Sequence, residues 1–232
     1  MKNLKSTIIV AGGSGLRMQS DIPKQFIAVS GLPILMHTIH KFSSYDQEMQ
    51  LILVLPEQHF NYWNELCERY NFKINHKLVS GGNTRFESVL NGLGATTDTD
   101  LIAIHDGVRP LVSHQTIDAC FKAASEYGAA IPVAECIESL RQLNSDGSHS
   151  VDRSKFRTVQ TPQVFESKLL KQAYEQNFSP NFTDDASVVE SFWNTKPNIT
   201  LEIALVNGNV ENIKITTKMD LEIAQLLLDK SI

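Results

Sequence analysis

The sequence predicts one α/β domain built on a doubly wound, mostly parallel sheet, and three observations carry that reading. Short β-type runs alternate with amphipathic helical runs along most of the 232 residues, and such alternation lays helices on both faces of a parallel sheet. Apolar side chains within the helical runs recur at helical spacing. Polar loops carrying glycine or aspartate follow several strands, and in doubly wound sheets ligands sit beyond the strands' carboxyl ends.

The elements follow in order. Thr7 to Ala11 is a strand, Pro33 to Phe42 a helix, Leu51 to Leu55 a strand and Glu57 to Tyr70 a helix. Arg85 to Leu93 is a helix, because Phe86, Val89, Leu90 and Leu93 fall at i, i+3, i+4 and i+7 and form one apolar stripe. Leu101 to His105 is a strand, Gln115 to Tyr127 a helix with Ile117, Phe121, Ala124 and Tyr127 on one face, and Ala129 to Val133 a strand. Residues 134–160 break this rhythm. They are polar, alternate weakly, and carry Asn144-Ser145-Asp146-Gly147 as a hairpin turn. They read as a protruding β-arm, and an arm with little core of its own is expected to pack on a second copy of the chain. A late strand, Leu201 to Val206, leads into Asn207-Gly208-Asn209.

Composition sets the limits on function. Hydrophobic residues make up 42% and charged residues 20%, so residues 1–232 can bury the core of a single domain. Twenty-one basic against 26 acidic residues give a net charge of −5, which provides no overall positive field for nucleic acid. Cys67, Cys120 and Cys136 are widely spaced and odd in number; they indicate neither a disulfide framework nor a thiolate metal site, and suit the cytoplasm. The apolar run after Lys5 is too short for a signal segment or a membrane span.

The loop Ala11-Gly12-Gly13-Ser14-Gly15-Leu16-Arg17-Met18 follows the first strand. Glycines there let the backbone approach an anion and aim N–H groups at it. The loop fits neither GxGxxG nor GxxxxGK[ST], since Met18 and Arg17 stand where each pattern needs glycine. Arg17 and Lys24 add two cations that a phosphate chain would neutralise, with Pro23 fixing the backbone and Phe26 anchoring the segment. Gly81-Gly82-Asn83-Thr84-Arg85-Phe86-Glu87-Ser88 opens a helix with free N–H groups and hydroxyls at Thr84 and Ser88, suited to a base or ribose. Asp106 ends a buried strand, where a carboxylate needs either a cationic side chain, with Arg109 at hand, or a bound Mg²⁺ shared with phosphate oxygens. His105 reads as a satisfied strand histidine.

With AGGSGLRM, PKQF, GGNTRFESV, HDGVRP, TPQVF, TDDAS and NIKITT in this order, the chain resembles the 2-C-methyl-D-erythritol 4-phosphate cytidylyltransferases of the non-mevalonate isoprenoid pathway. The related ribitol-5-phosphate cytidylyltransferases share most of these motifs and remain the alternative. The resemblance implies a Rossmann-like nucleotidyltransferase fold, CTP and a polyol phosphate as substrates, Mg²⁺, and a homodimer that exchanges its arms. It implies CTP contacts at Ala11, Gly12, Gly13, Ser14, Gly82, Thr84 and Ser88, transition-state cations at Arg17 and Lys24, a second, positioning cation at Lys214 in the catalytic set, and a magnesium ligand at Asp106. Arg109, Thr183 and Asp184 are expected to face the methylerythritol phosphate, joined by Arg153 and Thr161 from the partner's arm. Where the family usually has threonine in the arm this chain has Cys136; a thiol is a weaker donor, and Cys136 is left out of the site.

Overall fold

The computed structural model describes residues 3–13, 22–195 and 202–230; Ser14 and Arg17 of the expected site lie outside the described residues. The elements run β1 (Lys5–Val10), β2 (Ala28–Val29), β3 (Leu32–Pro33), α1 (Ile34–Tyr45), β4 (Gln50–Leu55), α2 (Phe60–Arg69), β5 (Lys77–Ser80), α3 (Arg85–Gly94) and β6 (Leu101–Asp106). They continue with α4 (His114–Tyr127), β7 (Ala129–Glu135), β8 (Arg141–Asn144), β9 (Gly147–Ser150), β10 (Arg157–Val159), β11 (Gln163–Glu166), α5 (Ser167–Ala173), α6 (Asp185–Asn194), β12 (Ala204–Asn207) and α7 (Lys218–Asp229). Each expected strand and helix is present, with ends shifted by a few residues.

The main sheet has the order β10-β7-β11-β6-β1-β4-β5, with β12 on the far side of β7. β1 pairs in parallel with β4 and β6, β5 with β4, and β12 with β7. β11 runs antiparallel to both β6 and β7, and β10 antiparallel to β7, so the sheet is mostly parallel with two reversed segments inserted at one side. Strand alternation divides the core between two faces. Ile8, Ile52, Val54, Ile102 and Ile104 point to one layer, with Phe86 and Val89 of α3 and Val188 and Val189 of α6. Ile9, Leu51, Leu53, Leu55 and Ala103 point to the other, with Met36 and Ile39 of α1, Trp63 of α2 and Phe121 of α4.

Two residues expected on apolar stripes face outward. Leu90 is exposed because α3 turns Gly92 onto Ile8 and Val54, where an added Cβ would lie 2.6 Å from Ile8. At about 100° per residue, centring that face on Val89, Gly92 and Leu93 rotates Leu90 away. Tyr127, beside the left-handed Gly128 that ends α4, is also exposed.

The arm is shorter than the sequence suggests. Ala134 and Glu135 still belong to β7 and pair with Thr158 and Arg157, so only residues 136–156 leave the sheet. There β8 and β9 form a two-stranded ribbon with Asn144 opposite Gly147, and every residue of both strands is exposed. A small satellite core of Val29, Ile34, Val108, Leu111, Ile215, Ala224 and Leu228 binds the β2–β3 hairpin and α7 to the loop after β6. This cluster carries the C-terminal segment with Lys214 to the sheet edge.

Candidate active site

Because β1, β4, β5 and β6 run the same way, their carboxyl ends meet in one cleft of about 290 Å³. Ala11, Gly12, Gly13, Lys24, Gly82, Thr84, Ser88, Asp106 and Lys214 all line it, together with Gln25, Asn83 and Arg85. The glycine loop and the loop after β6 therefore converge, as their strand ends suggested, and the loop before α3 joins them. Asn207-Gly208-Asn209, which also follows a strand and was expected at the same edge, is not among the residues lining the cleft.

Lys24 heads a 3-10 turn, Lys24–Phe26, behind the glycine loop. Phe26 is buried against Trp63 and Tyr62, with ring centroids 6.3 and 5.2 Å away. Gln25 is equally buried and its Nε2 donates to the Ala11 carbonyl at 2.9 Å. The turn is thus pinned at two points, and Lys24 Nζ donates to the Ile215 carbonyl at 3.0 Å. Gln25 stood inside the PKQF motif, but nothing in the sequence disclosed that it braces the loop it follows.

Before α3, Thr84 is the N-cap and its hydroxyl accepts from Glu87 N at 3.0 Å. Ser88 is buried, accepts from Gly82 N at 3.1 Å and donates to the Thr84 carbonyl at 2.9 Å. Glu87 Oε2 takes Asn83 N at 2.7 Å. These side chains shape the loop around its glycines. Gly82 must be glycine for this geometry, since a Cβ would stand 2.3 Å from Glu87 Cβ.

Asp106 is the charge centre of the cleft. Its Oδ2 meets Arg109 Nε at 3.0 Å and Lys214 Nζ at 3.1 Å, while Oδ1 has Arg85 Nε at 3.9 Å. Burial alone would raise its pKa, but Lys214, Arg85 and Arg109 outweigh that and hold the carboxyl well below the ordinary range. The Arg109 pairing weighed from the sequence is therefore present, joined by two further cations. Arg109 Nη1 also donates to the Asn212 carbonyl at 2.8 Å, so its guanidinium is spent on structure at two places.

His105 is fully buried and its pKa is lowered to about 4, chiefly by desolvation. Its Nε2 lies 3.1 Å from the Arg109 carbonyl, which can only accept, so Nδ1 accepts from the Thr161 hydroxyl at 2.9 Å. That hydroxyl in turn accepts from Asp106 N at 3.1 Å. The ring locks the loop after β6, and His105 is a satisfied structural histidine.

This ring corrects one expectation. Thr161 is not an arm residue reaching across to a partner: it is buried, its hydroxyl is used within its own chain, and its carbonyl accepts from Asn212 Nδ2 at 2.8 Å. Arg153 does lie in the arm, in the 3-10 turn Arg153–Lys155, where it donates to the Ile137 carbonyl; within one chain it is not among the residues lining the cleft. Thr183 is exposed just ahead of α6. Asp184 caps that helix, accepting from Ser187 N at 2.9 Å and Gln163 Nε2 at 2.8 Å, so its carboxylate is largely occupied. Asp185, the middle residue of the TDDAS motif, had no role assigned from the sequence; it is fully buried and binds Arg85 through two bonds of 2.8 and 2.7 Å.

Asp106 is the sole carboxylate on the described wall of the cleft, and no cluster of three or more metal-ligating side chains occurs among the described residues. A cation here would take most of its ligands from phosphate and water. That is how Mg²⁺ accompanies nucleotides, and the less engaged Oδ1 suits it.

The family model for 2-C-methyl-D-erythritol 4-phosphate cytidylyltransferase (IspD) matches residues 6–230. An enzyme of that name from Porphyromonas gingivalis is 51% identical over 228 residues, covering 98% of this chain and 99% of its own. One from Bacteroides thetaiotaomicron is 50% identical over 224 residues, 97% of this chain and 99% of its own. The crystal structure of 4-diphosphocytidyl-2C-methyl-D-erythritol synthase from Anaerococcus prevotii superposes with a TM-score of 0.81 at 29% identity, covering 98% of this chain and 96% of that one. With the motifs gathered round one cleft, and near-complete alignment to these enzymes, the chain belongs to the 2-C-methyl-D-erythritol 4-phosphate cytidylyltransferase family.

Proposed function

We propose that the cleft binds CTP with Mg²⁺ and that Lys24 and Lys214 stabilise the charge that builds as CMP is transferred. The reaction is the family's: CTP and 2-C-methyl-D-erythritol 4-phosphate give 4-diphosphocytidyl-2-C-methyl-D-erythritol and pyrophosphate in isoprenoid precursor biosynthesis. The observation that carries the residue roles is the convergence of Ala11–Gly13, Lys24, Gly82, Asp106 and Lys214 on one cleft.

A phosphate monoester has its second pKa near 6, so the attacking group is largely a dianion at neutral pH and needs no general base. His105, neutral and sealed in the core, is not needed as one. The protein's work is to hold two anions together and to meet charge growing on the α-phosphate. The backbone of Ala11–Gly13 receives the triphosphate, and Lys24, held by Gln25 and Phe26, stands beside it. Mg²⁺, with Asp106 as its protein ligand, supplies charge neutralisation on the phosphate oxygens when bound. Arg17 completes the set of cations by resemblance.

Pyrophosphate release from CTP tests the reading directly. Release is expected with methylerythritol phosphate and not with ribitol 5-phosphate; the near-complete matches do not favour the ribitol reading, and preference for that substrate would reverse the assignment. Removal of Mg²⁺ by chelation is expected to abolish release.

The working unit in this reading is a cytoplasmic homodimer with exchanged arms. The three described cysteines are free, and burial pushes Cys67 up to about 11 and Cys120 up to about 12, which keeps both thiols protonated and inert. The exposed β8–β9 ribbon, with Ile137, Leu143 and Phe156 also exposed, is marginal alone, since a lone two-stranded ribbon barely holds in water. Mixing inactive Lys24→Ala and Arg153→Ala variants tests the exchange. Heterodimers then contain one intact site, and about a quarter of wild-type activity is expected to return; no recovery would place Arg153 in its own subunit's site.

A further inference from the structure

Arg85 stands between two carboxylates and binds them very unequally. Its Nη1 and Nη2 donate to Asp185 Oδ1 and Oδ2 at 2.8 and 2.7 Å, whereas Asp106 Oδ1 lies 3.9 Å from its Nε. The guanidinium fork matches a single carboxylate edge, and a pair of such bonds fixes its orientation. Asp185 is itself immobilised. It is fully buried in the first turn of α6, where the helix favours an anion, and the Tyr174 hydroxyl donates to its Oδ1 at 2.6 Å. Arg85 and Asp106 line the cleft, and Asp185 stands behind them outside it.

Consider the same site without the charge at position 185. Arg85 would then have Asp106 as its nearest anion, and a shift of about 1 Å gives an ordinary charge-assisted bond to Oδ1. Oδ2 already carries Arg109 and Lys214. Both oxygens of Asp106 would be taken by side-chain cations.

We propose that Asp185 is a positioning residue that holds Arg85 off Asp106 and so leaves Asp106 Oδ1 to the divalent cation accompanying the triphosphate. The inference rests on the reading of Asp106 as the metal ligand. It assigns Asp185 a task in metal loading through Arg85, with no contact of its own to substrate or metal.

The test is Mn²⁺ binding, followed by electron paramagnetic resonance, to the full chain in the presence of α,β-methylene CTP, which cannot turn over at the α-phosphate. Asp185→Asn is expected to weaken Mn²⁺ binding about tenfold, the lower range for loss of a group that orients a ligand. The double variant Arg85→Gln with Asp185→Asn removes the competitor together with its anchor and is expected to regain wild-type affinity. Unchanged binding in the single variant, or no recovery in the double, overturns the proposal. Should the single variant not fold, the neutral double decides: wild-type affinity supports the proposal, and weakened binding overturns it. Asp106→Asn separates the two levels. If that change leaves Mn²⁺ binding intact, the metal reading falls and takes this inference with it; if it abolishes binding while Asp185→Asn does not weaken it, only this inference falls.

Discussion

Lys24→Ala is expected to lower kcat/KM by about two to three orders of magnitude, the size of effect seen when one preorganised donor to a transition-state anion is removed. The magnitude follows from how the lysine is held. Its turn is anchored by buried Phe26 and by the Gln25 bond to the Ala11 carbonyl, so the ammonium is delivered to the cleft wall with little freedom left to lose. Its bond to the Ile215 carbonyl ties it to the segment that carries Lys214. Stability should change little, because the anchoring side chains remain. Steady-state kinetics alongside a thermal melt check both halves of the statement, and near-normal turnover in a folded variant would remove Lys24 from the catalytic set.

Asp106→Asn is expected to cost both activity and stability. Three cations, Arg85, Arg109 and Lys214, lie within 4 Å of that carboxylate, and its loss leaves them facing one another. Removing one partner of a buried ion pair costs about 3–5 kcal/mol; Lys214 is 44% exposed and Arg85 keeps Asp185, so solvent and that second pairing place the expected loss near the low end, about 3 kcal/mol. The pH dependence has a definite sign. The folded carboxyl titrates well below its ordinary value of 3.8, so the native state binds fewer protons there than the unfolded chain. The stabilisation is complete above that ordinary value and fades as pH falls toward the folded pKa. Denaturant unfolding should show a gap between wild type and Asp106→Asn that is constant from pH 5 to 8 and narrows below about pH 4. A gap that instead widens in acid would show that the carboxyl is not held ionised by its neighbours.

Much of the fold and part of the site were legible beforehand, for reasons that are local. Leu51 to Leu55 is a short apolar run, all buried in β4, and continuous apolar strands mark a parallel sheet covered on both faces. Glycines after β1 and at Gly81-Gly82 mark close backbone approach, and both loops do line the cleft. The NSDG turn and its ribbon were equally readable, since turn chemistry is written in a few adjacent residues. The reversed β10 and β11 were not, because nothing in Arg157–Val159 or Gln163–Glu166 states which neighbour they pair with.

The sequence by itself therefore determined the alternation of strands and helices, the loops that reach the ligand, and through its ordered motifs the family. Only the tertiary structure decided the partnerships of the charged and polar groups. Arg85 is paired with Asp185, 100 residues away; Thr161 turns inward to His105 and Asp106, 56 and 55 residues back; and Asp106 is shared among three cations drawn from three segments. Periodicity fixes which face of an element is buried, since it depends on residues a few positions apart. Which charge meets which depends on where distant segments arrive, and that is set by the packing of the whole sheet.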